Sequence, residues 1–299
     1  IAPISVWIIW WVGLAYVAAL ACNIWPIINP WSITFSWLTK LARHIRPNMR
    51  RNIRVPYPSG LGVWPAVALF GWFAWFETLS VAANIPRDLA VSILTYSVYT
   101  WLCMAVFGRQ TWLTHGEPFS LAFDVYGRFA PIGRSARVAA DSSPKHWHIR
   151  PYASALIVGR PCSFSMTCFV LLMLATVTFD GFMETPLWGV ILQWILTSPS
   201  FEPIILGLHN LGISYVGLLK TCILVAFPAL FLLTYLAFAW LTKIGADSER
   251  RLSEVAGLFV WSLVPIAIAY HLAHYLTYLL VTGQNIIPLL SDPFGFGWD

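Results

Sequence analysis

Charge is what this chain has least of. Asp, Glu, Lys and Arg together make up only 10% of its 299 residues, where a soluble domain carries about a quarter. With 58% hydrophobic residues and a mean hydropathy of +0.69, a water-soluble globule is excluded. Cysteine is also sparse. The five present, Cys22, Cys103, Cys162, Cys168 and Cys222, form no CxxC pair and no zinc-ribbon spacing, so they read as small apolar residues rather than a disulfide or zinc framework. No GxSxG elbow occurs, which argues against a serine hydrolase. Gly295-Phe296-Gly297 is too short for a phosphate-binding loop. No internal repeat is visible, so the inverted-repeat signature of a secondary transporter is missing. The apolar opening at Ile1 has no basic stretch before it, so a cleavable signal peptide is not read, and Ile1 is not expected to be the natural start.

What the chain does have is long apolar runs. They lie at Pro3–Ile24, Leu61–Ala82, Asp88–Phe107, Cys162–Phe179, Ile213–Leu241 and Val255–Val281, each near the roughly 20 residues that cross a hydrocarbon core. Sixteen of the 18 Lys and Arg residues fall in the first, third and fifth loops between them. Arg87 alone lies in an even-numbered loop, and Lys220 sits inside a span. Basic loops stay in the cytoplasm during insertion. The expected protein is therefore an all-α, polytopic helical bundle of the bacterial inner membrane, with about six spans and both ends outside. It reads as one transmembrane domain over 1–299, a part of a longer chain. The net charge of +5 is spread over short loops, where anionic lipid is the ordinary partner and nucleic acid is not.

Between the spans, Trp31–His44 reads as an amphipathic interfacial helix. Spans two and three, joined only by Ala83–Arg87, read as antiparallel neighbours. The segment Gly108–Arg160 mixes Gly, Pro and seven bases and reads as a loop with one or two interfacial turns, its tip at Ser135–Lys145. The stretch Asp180–Gly212 has no Lys or Arg but is apolar at Pro186–Leu196 and Ile204–Leu208. Those runs are too short to span, which suits a re-entrant or interfacial helix packed on the bundle. The many Trp and Tyr residues near span ends, such as Trp7, Trp25, Trp64 and Trp188, suit an interfacial belt.

The chemistry-bearing candidates gather at one depth. His271 and His274, three apart, share a face of the last span. Ionisable groups are costly in a bilayer, which makes them functional candidates. Glu77, Asp180 and His209 belong to other helix ends at the same, outer side. Imidazole and carboxylate together suit zinc or copper with an open position for water, so His271, His274, His209, Asp180 and Glu77 form the expected metal set. Haem on the histidines is the less favoured cofactor. His115-Gly116-Glu117 and His146-Trp147-His148 lie on the opposite side and cannot join them. Asp124 and Arg128 have the spacing of a helical ion pair.

Phe179-Asp180-Gly181-Phe182, Thr185-Pro186-Leu187-Trp188, Tyr270-His271-Leu272-Ala273-His274-Tyr275, Gly283-Gln284 and Ser291-Asp292-Pro293-Phe294-Gly295-Phe296-Gly297-Trp298-Asp299 resemble the bacterial membrane proteins named fenitrothion hydrolase. His115-Gly116-Glu117-Pro118-Phe119 and Gly127-Arg128-Phe129-Ala130-Pro131 are similar to them as well. The resemblance covers much of the chain from Gly108 onward. It implies a polytopic protein linked to cleavage of lipophilic organophosphorus triesters, with Asp180, His271, His274 and Asp292 as motif residues. The residues themselves leave three functions open: a membrane metal-dependent hydrolase acting on a lipophilic small molecule, an accessory subunit of a larger membrane redox complex that binds haem or copper through these histidines, and a metal or small-molecule permease. Turnover, copurifying subunits or a haem band, and metal-dependent flux distinguish them.

Overall fold

The computed structural model describes residues 2–45, 55–134, 147–157, 159–291 and 296–298. The Ser135–Lys145 tip, His146 and Asp292 lie outside the described residues. Apart from one small hairpin, the regular structure is helical. Prolines in the first turn start many of the helices, where the missing N–H costs nothing. This holds for α4 (Trp64–Leu79), α5 (Pro86–Phe107), α7 (Pro118–Gly127), α9 (Pro186–Thr197), α10 (Glu202–Asn210) and α13 (Val264–Val281). Side chains of Ser163, Thr185 and Ser214 cap α8 (Phe164–Met183), α9 and α11 (Tyr215–Gly245) by accepting from backbone N–H groups.

Among the described residues, five helical stretches are long and apolar enough to cross a membrane, Ser59–Leu79, Pro86–Phe107, Phe164–Met183, Tyr215–Gly245 and Leu252–Ser291. The pair α9 and α10, bent by 85° at their break, makes a sixth if counted as one span. The protein is thus a multi-pass, helical integral membrane protein. The first expected span is a shorter apolar helix, α1 (Ile4–Leu20), and its first ten residues are wound as a π-helix. Large apolar side chains such as Leu94, Leu102, Val225, Leu233 and Phe238 face outward, a cost in water that lipid removes.

The bundle is built round α8, which buries most of its length against α4, α11, α12 (Leu252–Phe259) and α13. The long α11 buries only Leu224 and Ala239, so it lies at the bundle's edge. Tyr16 of α1 donates to the Leu272 carbonyl, and Trp7 Nε1 donates to the Ala83 carbonyl over 3.0 Å. These bonds tie the first helix to the last span and to the link after α4. At Gly257 of α12 an added Cβ would stand 2.4 Å from the Cys162 carbonyl oxygen. The Cys162 N–H also donates to Gly257 over 3.1 Å, so backbone would have to move. Gly257→Ala is expected to destabilise the protein by about 1–3 kcal/mol. Thermal unfolding in detergent checks this, and an unchanged midpoint would show that α12 is free to shift.

Two sequence expectations are corrected. Segment 108–160 does not lie wholly on the interface. After α5, Gly108 takes a φ of 93°, a left-handed backbone open to glycine. The chain then turns back as α6 (Arg109–His115) and α7, and α7 buries eight of its ten residues among α1, α4 and α13. Its Phe119, Leu121, Ala122, Phe123, Val125 and Tyr126 explain the burial. Such non-spanning backbone is tolerated at membrane depth only when protein encloses it or water reaches it. The neighbours of α5 are consequently α6 and α3 (Pro30–Ile45) rather than chiefly α4. The sequence read Trp31–His44 as a helix, and α3 matches it, with Trp31 buried and its Nε1 bonded to Ser97 over 2.8 Å. A hairpin of β1 (Ile132–Arg134) and β2 (Trp147–Ile149), paired Ile132 to Ile149, follows α7. In the segment 180–212, α9 matches the apolar run, burying Trp188 and Ile195 and leaving Leu187, Val190 and Trp194 exposed.

Candidate functional site

Three spans bring the ionisable groups together near the end of the bundle away from most bases. Asp180 lies in the last turn of α8, Glu77 in the last turn of α4, and His274 past the middle of α13. His274 Nε2 lies 3.0 Å from Asp180 Oδ2, and the Tyr275 hydroxyl donates to the same oxygen over 2.8 Å. One carboxylate oxygen therefore takes two bonds from adjacent residues of the facing helix. The His274 side chain is 12% exposed and that of Asp180 27%, so the pair is largely but not wholly shielded. Glu77 stands near enough to interact electrostatically with Asp180, Tyr126 and Tyr275, and makes no side-chain hydrogen bond among the described residues.

One turn deeper, His271 is 1% exposed. Its ring lies 4.7 Å from Tyr275, 5.6 Å from Tyr126 and 5.9 Å from Trp11, centroid to centroid. Neither ring nitrogen has a hydrogen-bond partner among the described residues. A buried polar group without a partner costs about 1–3 kcal/mol, and few native groups are left so. His271 is accordingly a buried member of the cluster whose two nitrogens are both unmatched among the described residues.

Gly181 lets the Tyr270 side chain come close to the α8 backbone beside the pair. A Cβ there would stand 2.6 Å from the Tyr270 hydroxyl and 3.6 Å from His274 Nδ1. The second nitrogen of His274 and a phenol thus both lie close to the Gly181 backbone.

The five residues expected as metal ligands are placed as follows. His274 and Asp180 touch, Glu77 and His271 lie in the same cluster, and His209 is exposed on α10 with no side-chain hydrogen bond among the described residues. Among the described residues no three His, Cys, Asp or Glu side chains converge as a metal-holding group. Tyr275, Tyr270 and Gly181 have roles that the sequence reading did not give them. Their only signal was position, flanking the histidine pair and following Asp180. The Asp124–Arg128 pair expected from i,i+4 spacing is present, with Nε 3.3 Å from Oδ2.

His115-Gly116-Glu117 forms the bend between α6 and α7. Glu117 is fully buried and caps α7, accepting from the N–H groups of Phe119 at 3.1 Å and Ser120 at 2.7 Å and from the Tyr96 hydroxyl at 2.7 Å. This carboxyl is a structural cap. Comparison with descriptions of known protein families, with curated proteins and with solved structures yields no match.

Proposed function

We propose that this protein sits in the bacterial inner membrane, with its basic loops inside and its ends outside, and hydrolyses a lipophilic organophosphorus triester at the Asp180–His274 pair. The observation that carries the reading is the bonding of His274 Nε2 and the Tyr275 hydroxyl to one oxygen of Asp180. A carboxylate that holds Nε2–H fixes the imidazole tautomer and leaves Nδ1 as the base. The fenitrothion hydrolase resemblance supports the substrate class, and the loop bias of Lys and Arg supports the orientation.

In this chemistry Nδ1 of His274 takes a proton from water as its oxygen bonds to phosphorus. The bond from phosphorus to the aryl oxygen breaks, and the departing aryloxide takes the proton from the imidazolium. The Tyr270 hydroxyl, near the same nitrogen, is a donor for the phosphoryl oxygen as its charge grows. Partition into the bilayer would concentrate an apolar triester at the site. The test is release of nitrophenol from a nitrophenyl dialkyl phosphate by the purified chain in nanodiscs. Turnover is expected, and its absence from the wild type overturns the reading.

The two unpartnered nitrogens of buried His271 favour a second form of the reading. Here His271, with His274 and a carboxylate from Asp180 or Glu77, would hold a zinc or copper ion, or haem, once these side chains turn to a common point, since they do not converge as they stand. A bound metal ion would supply a Lewis acid for the phosphoryl oxygen. Metal analysis and an absorption spectrum of the purified protein are then expected to reveal the group. His271→Ala and His274→Ala should each remove most of it, and His148→Ala should leave it unchanged. Absence of metal and haem from the wild type, or equal content in all variants, rejects this form.

A further inference from the structure

At the end of the bundle that carries most of the bases, a cavity of about 1680 Å³ opens between α3, α6, α7 and the β1–β2 hairpin. It is larger than the roughly 300–1,000 Å³ of a usual small-ligand pocket. Lys40, Arg109, Arg128, Arg134 and Arg150 line it, and Asp124 is the sole acid among the described lining residues. That acid is already engaged with Arg128, whose guanidinium also covers the Trp261 ring at 4.2 Å. The other four bases have no acidic partner among the described residues.

These groups do not all hang freely in solvent. Arg150 is half-buried and donates to the carbonyls of Ala130 at 3.0 Å and Gly127 at 2.6 Å. Burial, and secondarily the charge of Arg128, lower its pKa. Arg109 donates to Ser36, and Arg134 lies 5.7 Å from the Trp147 ring. The cavity reaches inward to Asn29, 2% exposed, whose Nδ2 lies 3.3 Å from Ser120 Oγ. A concave site with low-dielectric walls and uncompensated charge of one sign concentrates the opposite ion. Guanidinium groups also match phosphate geometry better than any other side chain.

We infer that this cavity binds a phosphate-bearing anion, presented either by a lipid head group or by a soluble phosphate compound. The site is separate from the Asp180–His274 pair and does not depend on that reading. Calorimetric titration of the purified full chain tests it, with inorganic diphosphate in one arm and dioctanoyl phosphatidylglycerol in the other. Dioctanoyl phosphatidylcholine is the lipid control. Saturable binding is expected in at least one arm, weakened by salt. The Arg109→Gln/Arg134→Gln variant is expected to bind at least about tenfold more weakly. Lys40→Gln is a second, independent variant with the same direction of effect. Arg87→Gln, an exposed base at the opposite end, is expected to bind like the wild type. Diphosphate binding identifies a soluble ligand, and phosphatidylglycerol binding without diphosphate binding identifies the lipid. No saturable binding in either arm, or unchanged affinity in both cavity variants, overturns the inference.

Discussion

Asp180→Asn is expected to lower the turnover number by about 10²–10⁴-fold, the range for losing a positioned acid–base partner. The substitution keeps the shape, so the helices still pack, although an NH₂ placed at the shared Oδ2 position leaves the Tyr275 hydroxyl to accept rather than donate. What changes is the partner of His274 Nε2, now 3.0 Å from Asp180 Oδ2. An amide can turn its NH₂ toward that nitrogen, which moves the imidazole proton to Nδ1 and removes the base. The Michaelis constant should change little, because the group acts on the proton and not on the apolar body of the substrate. A fall in substrate affinity with an unchanged turnover number would instead mark Asp180 as a binding or packing residue. Native-like elution and circular dichroism of the variant separate both outcomes from misfolding.

The largest effect on stability is expected at Glu117. Glu117→Ala removes the acceptor for two N–H groups at the start of α7 and for the Tyr96 hydroxyl, all inside the bundle. It also leaves a void where a fully buried side chain stood. Loss of a helix cap costs about 1 kcal/mol, and each stranded buried donor costs about 1–3 kcal/mol. Water that enters the void recovers part of this, so a net loss of about 3–5 kcal/mol is expected. Glu117→Gln keeps a carbonyl acceptor for the cap and should lose less. Tyr96→Phe strands no donor and should lose least. Thermal unfolding in detergent gives the order, and an alanine variant as stable as the wild type would show that α7 is not held by its cap.

Depth was legible in the sequence, and azimuth was not. Counting residues along an apolar run places Asp180 and His274 near the same end of their spans, because each helical residue rises a fixed 1.5 Å. Which face of α8 turns to which face of α13 depends on packing between residues 94 positions apart, which no local pattern encodes. Hence Asp180 and His274 are expected at one depth as members of a metal set, while their direct bond and the bond from Tyr275, one residue on, are not legible. His209 shared the right loop, yet its helix α10 turns it outward.

The α6–α7 hairpin was misread for a different reason. Its glycines, prolines and bases look like a surface loop, and the apolar run in α7 is too short to suggest a span. Its burial follows from Phe119 and Phe123 packing with Trp10, Trp11 and Trp25, partners contributed by the first helix and its exit. The cavity at the basic end went unread as well, since it exists only once α7 has folded inward and the bases around it face one space.

A double-mutant cycle on turnover tests the proposed chemistry most directly, with Asp180→Asn, His274→Ala and the two combined. If the pair acts as one acid–base unit, each single change removes most of the activity and the double variant is no slower than the slower single one. Losses that multiply, or wild-type turnover in Asp180→Asn, would contradict the account.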